Sequence, residues 1–405
     1  MLPVVLIDVT TLRTGSGHSG IGRYTFDLLC GLASIRSEWC DRLDLVALGA
    51  LGWRRGWATT RDLRGAAEQA IAARGTEAGG LVVRRRVLLG PACWAARAAL
   101  LHQTEALGTP VLYRTPRIVT CYDVIPLVMH AEYLGRGPRG ALRYAARFLR
   151  DSVRYRTARR LVAISERSRA DVIRVIGVDP TRVDAVTTGI DLSRFSAEVD
   201  PERDRAALAA FDLGRRPFAL YVGAGDARKN AAGMCAAIAL ASRSADIELC
   251  WAGKLSRGEK QRAVEAARRH GAEDRVRFIG FVADDVLPSL YRTALCHLFV
   301  SRLEGFGITV VEAMASGCPV IVGRNSGADE LSADAGMTVD PDDAPAAAAH
   351  LVELVRDRSL RRSWAAKGLG RAPMFDRAAM ARGYVAAYLR TLGAGADPAH
   401  PGSAA

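Results

Sequence analysis

The sequence predicts an α/β protein made of two doubly wound, Rossmann-like domains in tandem, facing a central cleft. Three observations carry this. Short apolar runs alternate with longer helical patterns almost from end to end. A charged stretch without strand pattern, 196–217, interrupts the alternation near the middle. At 405 residues, 49% hydrophobic and 24% charged, the chain can bury more than one core.

In the first domain, 1–195, the strand candidates include 4–9, 43–48, 117–124 and 160–165, with helical patterns at Gly22–Leu32 and Arg139–Ala158. Residues 196–217 carry a proline near each end and serve as the expected connector. Alternation restarts with strand candidates at 218–223, 247–253, 276–282, 296–301 and 319–323. The second domain, 218–392, ends in helices from Asp343 onward, and the tail 393–405 is expected to be disordered. Ligands of such sheets bind outside the carboxyl ends of the strands, so the cleft between domains is the expected site.

The start of the chain has no basic leader and carries Asp8 within its apolar run, and no apolar run reaches the ~18 residues of a membrane span. A cytoplasmic location is expected. Eight scattered cysteines without a C-x-x-C pair read as reduced core residues. The net charge of +13 comes almost wholly from arginine, since the lysines are Lys229, Lys254, Lys260 and Lys367. It suits phosphorylated ligands and contact with the inner face of an anionic membrane. The arginines are dispersed without an aromatic-interleaved basic stripe, which argues against nucleic acid.

The chemistry concentrates in "EGFGITVVEAMASGCPVIV", 304–322. Gly305, Phe306 and Gly307 lead from a strand into a helix, and a helix opening offers unpaired amides to an anion. Glu304 and Glu312 would repel a bare anion. A ligand carrying both phosphates and hydroxyls resolves the conflict: amides take the phosphate, and carboxylates accept hydrogen bonds from sugar hydroxyls. Nucleotide sugars have that composition. Upstream, "YVGAGDARKN" (221–230) sets Arg228 and Lys229 at a strand's ligand end, where two cations can neutralise a diphosphate.

These segments resemble retaining glycosyltransferase family 4, enzymes of the two-domain GT-B fold with an E-x7-E signature. The likeness extends through 287–294 and 325–343, where Glu330 falls at the family's usual glutamate. It implies that Glu304 contacts the transferred sugar and steadies charge near it, that Glu312 binds the ribose, and that Gly305, Phe306, Gly307, Ile308 and Val310 line the donor site. Arg228 and Lys229 match the family's diphosphate motif, although Ala224 stands where many members carry a further arginine.

In the first domain "TGSGHSGIGRYT" (14–25) follows a strand and opens a helix. It fits the spacing of a dinucleotide loop but lacks the acidic partner of one. It also resembles the family's "G-I-G-R-Y" opening, in which Gly20 and Gly22 would admit donor phosphate or acceptor, with Arg23 either a ligand group or a surface cation. In "TCYDVIPLVMH" (120–130), Tyr122 stands where many relatives carry a histidine, followed by Asp123. Tyrosine can donate a hydrogen bond to a sugar but is a poor base near neutrality. His18 and His130 are the candidate substitutes.

The reading is therefore a retaining transfer of a hexose from a nucleotide-diphosphate donor to a hydroxyl acceptor. GDP-mannose, UDP-hexoses and dTDP-deoxysugars stay open as donors; a cell-surface glycan, a lipid-linked intermediate or a secondary metabolite stays open as acceptor. The family's mechanism implies no tightly bound cofactor. Asp284–Asp285 and Asp342–Asp343 lack the D-x-D spacing at a strand end that would suggest a metal clamp. The competing readings are a binding protein of the same fold, an NAD-dependent oxidoreductase, for which the fingerprint is missing, and a phosphorylase, for which no pyridoxal-lysine segment stands out.

Overall fold

The computed structural model describes residues 1–13, 20–50, 57–72, 89–105 and 114–393. It divides the chain into two units, one of Met1–Gly189 with the segment from Arg377 onward, the other of Ile190–Asp376. Both are parallel-sheet α/β units, as expected.

The first unit holds a seven-stranded sheet. Its strands are β1 Val4–Asp8, β2 Asp44–Ala50, β3 Trp57–Thr60, β4 Leu100–Gln103, β5 Arg117–Cys121, β6 Arg160–Ala163 and β7 Val183–Ala185, in the order β3-β2-β1-β4-β5-β6-β7. All pairs are parallel except β2 with β3. The first-half strand candidates fall on β1, β2, β5 and β6, while β3 and the helix Leu63–Ala72 match none of the elements named from the sequence. The glycine-rich positions 14–19, including His18, lie outside the described residues, as do residues 394–405 of the tail.

The second unit's six strands are β8 Phe218–Val222, β9 Glu248–Ala252, β10 Val276–Gly280, β11 Cys296–Phe299, β12 Val320–Gly323 and β13 Met337–Val339. Their order, β10-β9-β8-β11-β12-β13, is parallel throughout. Counted from β8 this is 3-2-1-4-5-6, so the strand order reverses between β8 and β11. In sheets of this order ligands bind at the reversal point, outside the carboxyl ends of the strands.

Two boundaries differ from the sequence reading. The helix Arg377–Leu392, assigned above to the second domain, belongs to the first unit. Its fully buried Tyr384 and Tyr388 need hydrogen-bond partners and find them there: Tyr384 Oη lies 2.7 Å from Thr120 Oγ1 and from Tyr24 Oη, and Tyr388 Oη 2.8 Å from His102 Nδ1. The helix also approaches Gly20–Ser34 so closely that a Cβ on Gly31 would sit 2.3 Å from the Arg377 carbonyl oxygen. The connector, for its part, folds as the helix Pro201–Ala210 within the second unit. Asp200 caps it, and buried Asp204 takes Arg292 Nη2 at 2.6 Å.

Among the described residues no helix is long and apolar enough to cross a membrane.

Candidate active site at the reversal point of the second sheet

Strand β8 runs into the turn 223–230, which contains Arg228 and Lys229, and β11 runs into 300–307, which contains Glu304. The adjacency of β8 and β11 brings the two segments together. Glu304, buried at 5% exposure, accepts hydrogen bonds from both cations, from Arg228 Nη1 at Oε2 and from Lys229 Nζ at Oε1 over 2.8 Å. Arg228 also donates to the Leu303 carbonyl oxygen (3.1 Å) and meets Asp226 at 3.4 Å, and Lys229 Nζ lies 4.9 Å from the centroid of the Phe299 ring.

Burial alone would raise the Glu304 carboxyl, but Lys229 and then Arg228 outweigh it and hold it below the ordinary carboxylate range. Burial pulls Lys229 below its ordinary value, with Glu304 opposing. One carboxylate between two cations leaves the triad itself at +1, and Asp226, paired with Arg228, brings the four side chains to neutral.

Asn230 bolts this arrangement together. It adopts φ 57° and ψ 52°, and its amide donates to the carbonyl oxygens of Val300 (3.0 Å) and Pro341 (2.6 Å) while its oxygen caps the helix Ala231–Ala241 through Gly233 N. The turn after β8 also meets the turn after β9 backbone to backbone, since a Cβ on Gly253 would lie 2.2 Å from the Gly223 carbonyl oxygen. Neither contact was anticipated from sequence. An asparagine just ahead of an apolar helix was the available signal for the first.

The helix Ile308–Ala315 opens at Gly307, at φ 105° and without a side-chain cap. The amides of Ile308 and Thr309 come too early in the helix for an intrahelical acceptor. Val310 N is bonded to Gly307 O at 2.9 Å and its side chain is fully buried, so Val310 offers neither group to a ligand. Phe306 is buried edge-on to Phe375, with centroids 6.1 Å apart. Glu312 is 1% exposed and takes a hydrogen bond from Tyr291 Oη at 3.2 Å.

Beneath the helix opening, His297 in β11 places Nδ1 2.9 Å from the Leu220 carbonyl oxygen and Nε2 3.2 Å from Thr309 Oγ1. A carbonyl only accepts, so Nδ1 carries the proton and Nε2 accepts from Thr309. Burial holds this imidazole down to about 4, and that of His102, in the first unit, down to about 3. Both values lie below those of the unfolded chain, so unfolding takes up protons as the pH falls below about 6.5 and stability drops. Melting temperature is therefore expected to fall between pH 7 and pH 5, by up to about 1.4 kcal/mol of stability per pH unit and per histidine. A flat profile over that interval would remove both imidazoles from the account.

The remaining expected residues lie in the first unit. Tyr122 Oη donates to the Thr104 carbonyl oxygen (2.7 Å) and lies 3.3 Å from Thr25 Oγ1; Asp123 Oδ1 accepts from the Ile125 amide at 3.0 Å, closing the turn into Ile125–Val128. Gly20 and Gly22 form the first turn of the helix Gly20–Ser34, Gly22 being buried. Among the described residues no group of three or more His, Cys, Asp or Glu gathers as a metal site.

Residues 208–371 match the family model described as glycosyl transferases group 1, and residues 88–194 the model described as Glycosyltransferase Family 4. The chain is 29% identical over 265 residues to the O-antigen chain mannosyltransferase B of Escherichia coli, covering 65% of this chain and 68% of that one. It is 34% identical over 228 residues to the D-inositol 3-phosphate glycosyltransferase of Salinispora tropica, covering 53% of this chain and 47%, about half, of that one. In three dimensions it is similar to the sucrose-phosphate synthase of Thermosynechococcus elongatus, with a TM-score of 0.71 at 19% identity over 98% of this chain and 100% of that one. It is also similar to the Anabaena protein HepE solved with UDP and glucose, with a TM-score of 0.68 at 17% identity over 96% and 100%.

Proposed function

The chain belongs to the family 4, group 1 glycosyltransferases of GT-B fold, and on that premise we propose that it moves a hexose from a nucleoside-diphosphate donor to a hydroxyl acceptor with retention at the anomeric carbon. The observation that carries the reading is the Arg228–Lys229–Glu304 triad beside the uncapped helix opening at Gly307. Two directed cations beside free helix-opening amides suit a diphosphate.

In the proposed reaction the bond from the anomeric carbon to the β-phosphate oxygen breaks, and a bond to the acceptor oxygen forms on the same face. The acceptor proton passes to the released diphosphate. Arg228, Lys229 and the amides of Ile308 and Thr309 stabilise the negative charge that grows on the leaving group, a task worth about 10²–10³ in rate for a single well-placed donor. Glu304 orients the two cations and meets the sugar's hydroxyls, and Glu312 holds the ribose. No side chain need act as base, so a tyrosine at position 122 is compatible with turnover, and the cations take the place of a metal.

Mannosyl transfer is supported by the name of the Escherichia coli relative, and a UDP-sugar by the ligands solved with HepE. The test is a thermal-shift panel of GDP, UDP, dTDP and their sugars, followed by anomeric analysis of the product in excess chelator. One nucleotide class is expected to raise the melting temperature, with retention and without need of metal. Absence of any shift across the panel, or an inverted product, would overturn the reading.

A further inference from the structure

The helix Gly137–Arg156 carries six arginines, and its one acid, Asp151, is 3% exposed and held by Arg150 (3.3 Å) and Arg154 (3.3 Å) as well as Arg147. One side packs on the first unit's core: Tyr155 belongs to the cluster that includes Leu161 and Val172, and Tyr144 and Phe148 lie against it. That contact accounts for one apolar face. It leaves a second, for Leu142, Leu149 and Val153 stand 72%, 66% and 51% exposed. At 3.6 residues per turn these three fall within about 40° of one another, a single stripe along the helix. Arg139, Arg143 and Arg150 are exposed along one edge of it, and no acidic side chain of the helix is.

We propose that this stripe docks the protein on an anionic membrane, with Leu142, Leu149 and Val153 entering the headgroup boundary and the arginines along its edge meeting lipid phosphates. A soluble domain has no reason to keep an apolar stripe exposed unless something covers it, and an apolar row edged by cations is the pattern of a helix lying in a bilayer interface. A second copy of the chain is disfavoured as the cover, because two such faces would set arginine against arginine.

The measurement is co-sedimentation of the full chain, without donor or acceptor, with phosphatidylglycerol and with phosphatidylcholine vesicles. Partitioning onto the anionic vesicles is expected to exceed that onto the zwitterionic ones by at least tenfold and to weaken with salt. L142S/L149S/V153S should lower anionic binding at least tenfold, and R139E/R143E should abolish the lipid preference. The melting temperature and the response to soluble nucleotide should stay unchanged in both variants, so that a failure here is distinguishable from failure of the transferase reading. Equal binding to both lipids, no binding, or triple-variant binding like that of the parent would overturn the proposal. So would a concentration-dependent dimer that the triple variant abolishes, which would assign the stripe to a second copy, or retention only of an acidic protein.

Discussion

Glu304→Gln is expected to lower the melting temperature of the ligand-free protein while enlarging the stabilisation that a nucleoside diphosphate confers. Glutamine keeps the shape and one acceptor oxygen but removes the charge between Arg228 and Lys229, whose side chains are 20% and 11% exposed. Taking one partner from a buried ion pair costs about 3–5 kcal/mol, because the other charge stays desolvated without compensation. In a unit of this size that is roughly 6–20 °C. Lys229, already pulled down by burial, can shed its proton and soften the loss. A bound diphosphate brings back the missing negative charge, so its thermal shift should exceed that of the parent. Turnover should nevertheless fall by about a hundredfold or more, since the carboxylate that orients both cations, and that we propose meets the sugar, is gone. An unchanged ligand-free melting temperature, or a smaller ligand-induced shift than the parent's, would show that Glu304 is not the counterion.

The same carboxylate sets a pH limit on the second unit. Its folded-state value lies below its ordinary one, so the stability it confers is complete above the unfolded value near 4.3 and is lost as the pH falls through the folded one. The imidazole effect begins higher, below about 6.5, so acid should destabilise the protein in two stages.

Local pattern made much of this site legible. Strands β8 and β11 are short apolar runs ending in glycine-bearing turns, and the basic pair and Glu304 were readable as the residues following them. The ion pairing between them was not, because Glu304 and Lys229 stand 75 residues apart and no spacing rule reaches that far. The sequence suggested a glutamate facing sugar; the structure adds its pairing with Arg228 and Lys229. Strand β4, "LLHQ", escaped notice because it is four residues long and half polar, and its His102 becomes a core residue through Thr120 and Tyr388, neither of them nearby in sequence. Those long-range bonds also explain why the membership of Arg377–Leu392 could not be read locally: apart from its tyrosines the helix is largely alanine and arginine, which declare no partner.

Lys229→Met separates charge from packing at the same site. Methionine is unbranched and of similar length, so it can fill the space of the lysine, whose Nζ lies over the Phe299 ring, without a cavity. What disappears is one of two positive charges, which takes the cluster of Arg228, Lys229, Glu304 and Asp226 from neutral to a net −1 while leaving Arg228 on Glu304. A cluster left with net negative charge opposes a diphosphate, so the affinity for the bare nucleoside diphosphate, read by calorimetry, is expected to weaken at least tenfold. Turnover should fall by about 10²–10³, the range for removing a single oriented donor from a developing negative charge. The drop in turnover should exceed the drop in affinity, because charge on the β-phosphate oxygen is greatest as the bond to the sugar breaks. Equal losses in both would mean that Lys229 binds the ground state only, and parent-like values in both would remove it from the reaction. Arg228→Met is a harsher change, since Arg228 also holds the Leu303 carbonyl oxygen and its loss frees the backbone on which Glu304 sits.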